Sequence, residues 1–230
     1  MSLPPSDLNW SDTAPAALAG LRIGLLPDAG AGLAVAPATA AAVAAAAEAF
    51  QAAGAHVEQV PPLLTRAMLD GLDRFWRARF WPQISALPKA AATRSCRSSP
   101  HGPKEPKDCP ATPCTPAFSQ MDALAVAAHQ ALQGYDYLLR PVAPIPAYDA
   151  RLAAPGDDPA RPFEHIAFTV PFSMSGQPAI SVNCGWTTGG LPIGLQIAGQ
   201  RFDDLGVLQV AAAYEQLRPT QRPWPRPDCA

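Results

Sequence analysis

The chain has 230 residues, 48% hydrophobic and 16% charged, enough for one large α/β domain or two small ones. Its 17 Lys and Arg stand against 19 Asp and Glu, a net charge of −2 that gives no reason to expect a surface for nucleic acid or an anionic membrane. The opening residues carry no basic n-region or apolar h-region of a secretory signal, and five cysteines without secretory context point to reduced thiols in the cytoplasm.

Residues 1–17 are polar and Pro-rich, and read as a leading loop. The apolar run Leu21 to Leu26, stopped by Pro27 and a Gly-rich turn, predicts a buried strand. Ala29 to Ala47 is weakly polar but poor in residues that lipid favours, so it predicts a turn plus helix and no membrane span. The helix itself is expected from Thr39 to Ala53, with Val43, Ala47 and Phe50 on one face and Gly54 as its C-cap. His56 to Val60 alternates like a strand. Strand, helix and strand in this order predict a parallel βαβ unit with a right-handed crossover.

Thr65 to Trp81 predicts a second helix burying Met68, Leu72, Phe75 and Phe80 or Trp76; with the βαβ unit it makes a block over 18–87. The segment 88–118 breaks the pattern. Between Pro88 and Pro116 lie all 3 lysines of the chain (Lys89, Lys104, Lys107), 3 of its 5 cysteines and 7 of its 28 prolines. A disordered loop would account for it, and so would translation in a wrong reading frame. The abrupt change at both ends, between two well-formed helical patterns, favours the frameshift.

Beyond it, Met121 to Gln133 predicts a third helix, and Tyr135 to Ile145 a strand running into an extended Pro-rich loop. Ala179 to Val182 and Leu195 to Ala198 predict two strands around the turn Thr187 to Gly190. Asp203 to Gln216 predicts a closing helix with Asp203 or Asp204 as N-cap and Leu205, Leu208 and Ala212 inward. Residues 119–217 thus make a C-terminal block, and 218–230 an irregular tail.

Two stretches resemble the second half of an amidase signature protein. One is Leu18 to Val60, with GLRIGLL, an Ala-rich helix and GAHVEQV; the other is Ser119 to Gln216, with YDYLLRPVAPIPA and PFSMSGQPAISVNCGWTTGGLPIGLQIAG. The resemblance implies an α/β fold, the C-terminal part of a larger mixed β-sheet flanked by helices. It implies a parent activity of amide C–N hydrolysis on a small-molecule amide, with no metal or organic cofactor. In that family a serine attacks the carbonyl, a second serine relays the proton, a lysine is the base, and backbone N–H groups of a Gly/Ser-rich loop hold the oxyanion. No such loop exists in this chain, and its lysines sit in the aberrant segment. No catalytic residue is therefore carried over: the chain is expected to be inactive alone, as if begun at an internal methionine. An uncovered sheet edge would favour self-association or pairing with a missing N-terminal half. The rival reading is a non-catalytic α/β interaction module.

Other constellations are weaker. Ser173 to Gly176 reads as a backbone-bonded turn before a strand and not as a nucleophile loop, and no G-x-S-x-G elbow is present. Cys96, His101, Cys109 and Cys114 lack the paired short spacing of a zinc site. Gly24, Gly30 and Gly32 do not make the G-x-G-x-x-G nucleotide spacing. His56, His129 and His165 are isolated, and Trp76, Trp81 and Tyr137 read as core. Two segments are candidates for a cleft wall: the loop Pro141 to Pro146, whose prolines fix an extended backbone, and Phe172 to Gln177.

Overall fold

The computed structural model describes residues 7–11, 13–86, 114–152, 154–156, 158 and 161–223. Strand β1 (Arg22–Leu25) leads through a glycine turn into α1 (Pro37–Ala52), then β2 (His56–Gln59) and α2 (Arg66–Ser85). Helix α3 (Cys114–Ala131), strand β3 (Tyr137–Pro141), a short helix α4 (Val170–Ser175), the strands β4 (Ala179–Trp186) and β5 (Pro192–Gly199), and α5 (Asp204–Leu217) follow. One 3₁₀ turn, Glu164–Ile166, precedes α4.

The five strands form one mixed sheet in the order β2-β1-β3-β5-β4. β1 pairs parallel with β2 and with β3, as the βαβ reading requires, while β5 is antiparallel to β3 and β4. All five residues of β3 are buried, because helices cover both faces of this central strand. Alternation decides which face each residue feeds. Tyr137 and Leu139 point to α1 and α5, joining Ile23, Phe50, Ile197 and Tyr214; the Phe50 and Tyr214 rings stack with centroids 5.3 Å apart. Leu138 points to α2, α3 and α4, joining Leu72, Leu124, Leu132, Phe168 and Phe172.

Four helical details differ from expectation. α1 starts two residues early because Pro37 occupies the first helical position, where its missing N–H costs nothing. α2 continues past Trp81 through Pro82, and buries Leu69 and Leu72 while Met68, Phe75, Trp76 and Phe80 are only half-buried. α3 begins at Cys114, so the end of the stretch read as irregular is helical; residues 87–113 lie outside the described residues. In α5 the inward face is Val207, Val210, Ala211 and Tyr214, and Leu205, Leu208 and Ala212 are half-buried. That helix is apolar on most sides, so periodicity alone left its orientation open.

The β4–β5 hairpin carries a bulge between Asn183 and Gly185. Cys184 sits in it, 4% exposed, its thiol donating to the Ile193 carbonyl oxygen at 3.5 Å. Burial pushes this thiol up to about 11. The folded pKa therefore exceeds that of a free thiol at about 8.5. The protonated form is favoured by folding, so this contribution to stability is full below about pH 8.5 and fades as pH rises toward 11. Iodoacetamide at pH 8 should label Cys184 roughly a hundredfold more slowly in the folded chain than in urea, followed by peptide mass spectrometry. Equal rates would place the thiol in solvent.

Candidate functional site

Where β3 ends, the loop that follows it is tied on two sides. The Val142 N–H donates to the Gly194 carbonyl oxygen at 3.0 Å, and the Ala36 N–H at the head of α1 donates to the Pro144 carbonyl oxygen at 2.8 Å. Between this loop, the start of α1 and the hairpin lies an open cavity of about 310 Å³, walled by Thr39, Val142, Ile145, Pro146, Ser181 and Asn183 among others. It lies at the carboxyl end of β3, the side of an α/β sheet where ligands collect.

Its lining is mainly apolar, with a few polar atoms left over. Thr39 is 1% exposed and its hydroxyl has no hydrogen-bond partner. Asn183 donates from Nδ2 to the Gly185 carbonyl oxygen at 3.1 Å, while its Oδ1 is buried without a donor. Both oxygens are covered, so a ligand meets them only where the wall is displaced, and there they suit a small molecule carrying both donor and acceptor, such as an amide. Gly194 keeps the floor low: a Cβ there would come 2.7 Å from Val142 Cγ2.

One side chain near this wall gave no signal beyond being a lone charge in an apolar strand. Arg140 is 0% exposed. Its Nε donates to the Phe168 carbonyl oxygen at 3.0 Å and to Gln196 Oε1 at 3.1 Å, and its guanidinium lies 3.2 Å over the Phe172 ring. Burial alone pushes its pKa down. Of the segment Phe172 to Gln177, Phe172 packs on Arg140 and none lines the cavity, whereas the loop Pro141 to Pro146 does contribute to its wall.

The other sequence candidates fall elsewhere. Ser173 and Ser175 lie on the short helix α4 and not in a turn; Gly176 caps it with φ 68°. Ser175 Oγ is 2.8 Å from Gln177 Oε1, a neutral amide that cannot take a proton, and Ser173 Oγ bonds the Thr169 carbonyl oxygen at 3.4 Å. Neither has the base that nucleophilic catalysis needs. The Gly30 N–H, which a phosphate would need, already donates to Asp28 Oδ1 at 2.9 Å. Cys96, His101, Cys109 and the three lysines lie outside the described residues. His56 and His129 are exposed; His165 is half-buried against Tyr148, and burial lowers its pKa. The Tyr137 hydroxyl donates to Asp203 Oδ2 at 2.9 Å, which makes it a satisfied core residue.

The family model for Amidase matches residues 114–208, which include β3, the loop, α4 and the hairpin. Over that segment the chain is similar to the amidase family. Its mixed sheet with flanking helices is the fold of the amidase signature enzymes, of which it spans only a part. Among curated relatives, the glutamyl-tRNA(Gln) amidotransferase A-subunit of Thermodesulfovibrio yellowstonii is 42% identical over 90 residues, 39% of this chain and 18% of that protein. The Brevibacillus brevis protein of the same name is 48% identical over 82 residues, 36% and 16% of the two chains. Among solved structures, a bacterial aryl acylamidase of the amidase signature family superposes with a TM-score of 0.71 at 22% identity, over 92% of this chain and 46% of that one. The 6-aminohexanoate cyclic dimer hydrolase complexed with substrate gives 0.74 at 23% identity, over 94% and 49%. The chain thus spans less than half the length of these structural relatives and under a fifth of the curated ones.

Proposed function

We propose that this amidase-family chain is the substrate-cradling part of an enzyme that hydrolyses a small-molecule carboxylic amide, and that it is inactive alone. The observation that carries the reading is the cavity at the end of β3, built by the family-matched loop and hairpin, whose lining residues Thr39 and Asn183 hold a covered hydroxyl and a covered amide oxygen without partners. The serine nucleophile, relay serine and lysine base of the resemblance have no assigned counterpart here, so chemistry needs a further part of the domain. No metal or organic cofactor enters this proposal. Among the described residues no helix is long and apolar enough to cross a membrane, and the enzyme is proposed to act in the cytoplasm without membrane or nucleic-acid partners.

A second reading, self-association or pairing with a missing N-terminal half, draws support from β4. This strand forms an edge of the sheet, and its Ala179 and Ser181 are exposed. Unpaired edge groups of this kind accept another strand.

The deciding experiment is to sequence the DNA from several hundred bases before the Met1 codon through the codon for Ser119, then express the longest product. The proposal expects an upstream frame with a lysine and a Gly/Ser-rich loop, a shifted frame across 88–116 that restores helix-like sequence, and amine release from an amide by that product. An unbroken frame with nothing amidase-like upstream overturns it and leaves an interaction module.

A further inference from the structure

Arg140, Gln196 and Ser181 are in register across β3, β5 and β4. Paired residues of antiparallel strands point to the same face, so these three make one row. The next row toward the end of β3 is Val142, Gly194 and Asn183, and every member of it lines the cavity, as does Ser181. Arg140 therefore stands one row behind the cavity wall.

Its environment is unlike that of the other arginines among the described residues. Arg66 pairs with Glu164, Arg77 with Asp73 and Arg218 with Glu215. Arg140 is the fully buried one, and no carboxylate pairs with it among the described residues. Phe168, Gln196 and Phe172 hold its Nε and the face of its guanidinium, leaving Nη1 and Nη2 buried without partners. Arginine stays charged at any physiological pH, and an isolated buried charge is costly, so a counterion is needed. The free Nη1–Nη2 edge of a fixed guanidinium matches a carboxylate with two parallel hydrogen bonds.

We propose that Arg140 anchors the carboxylate of a small-molecule ligand entering from the cavity, which makes the substrate class an amide that also bears a carboxylate. That substrate class rests on the amide-hydrolase reading; the anion site does not. Opening is required, since the guanidinium is covered in the unliganded chain: the ligand must displace part of the wall formed by Val142 and Asn183.

The test compares succinamate, which has one amide and one carboxylate, with succinamide, its neutral counterpart, by saturation-transfer NMR on the whole chain at constant ionic strength. This readout tolerates self-association and needs no catalysis. Succinamate should bind saturably and at least tenfold tighter than succinamide. Arg140→Met should erase the difference, and Arg140→Lys should keep part of it. Equal binding of the two probes by the unaltered chain, no binding of either, or discrimination that survives Arg140→Met each overturns the proposal. The unaltered-chain comparison stands even if Arg140→Met fails to fold. A longer product that hydrolyses neutral amides while the chain ignores the carboxylate would sink the anion site and leave the amide-hydrolase reading intact.

Discussion

Incubated by itself with an anilide, the chain should release aniline no faster than buffer does, while the longer product should release it on the order of a million-fold faster, the size of loss that follows removal of a serine hydrolase's nucleophile or base. The physical reason lies in the serines on hand. An alcohol attacks an amide only when a base takes its proton, and the resulting oxyanion must meet donors already in place, each worth about a hundredfold or more in rate. Ser175 is hydrogen-bonded to the side chain of Gln177, and Ser173 to a backbone carbonyl, so neither proton has a basic acceptor. Ser181 lines the cavity, yet it lies on an exposed strand edge, and among the described residues no hydrogen bond joins it to a base. Binding groups without this chemistry cradle an amide but do not cleave it. Continuous measurement of aniline release settles the matter. Hydrolysis by the chain alone that disappears in Ser181→Ala or Ser175→Ala would show that it holds its own nucleophile.

What the sequence disclosed, and what it hid, follows from the physics of each element. The βαβ unit was legible because short apolar runs bounded by Pro27 and by Pro61-Pro62 leave few alternatives, and the observed register pairs Ile23 with Val57 in parallel. The hairpin and the loop Pro141 to Pro146 were legible for the same reason, since proline and glycine dictate local backbone whatever packs around it. Side-chain orientation was harder. α5 offers apolar residues on nearly every side, and the contact of Tyr214 with Phe50, separated by most of the chain, decides which face turns inward. α4 is a single short helix whose start is set by packing of Val170, Pro171 and Phe172, below the length at which periodicity registers. Arg140 was invisible as a site because charge in a strand normally marks a solvent face. Only the three-dimensional row with Gln196, and the Phe172 ring beneath, show it to be buried. The cavity likewise depends on Thr39 and Asn183, which are far apart in sequence and brought together by the packing of α1 against β4.

The core around β3 supplies the largest effect on stability. Leu138 is 0% exposed at the centre of the sheet, and truncating it to alanine should cost about 3–5 kcal/mol, lowering the melting temperature by roughly 10 °C or more for a chain of this size. Directly beside it, Gly24 on β1 has no room for a side chain: a Cβ would come 2.4 Å from Leu138 Cδ2 and 2.9 Å from Val60 Cγ1. Both neighbours are buried, so Gly24→Ala should cost about 1–3 kcal/mol through overpacking. The two losses have opposite causes, one a void and the other a clash in the same space. Combining them should therefore leave the double variant more stable than the sum of the single losses, with a coupling of about 0.5–3 kcal/mol. Urea or thermal unfolding of the four proteins measures this cycle. Strict additivity would mean that Gly24 and Leu138 do not meet, and with it the parallel β1–β3 register that pairs these two residues would fail. That register also aims β3 toward the cavity. Rows stepping along β3 place Leu138 in the core, Arg140 behind the wall and Val142 in it, so the stability cycle and the carboxylate site stand on the same strand.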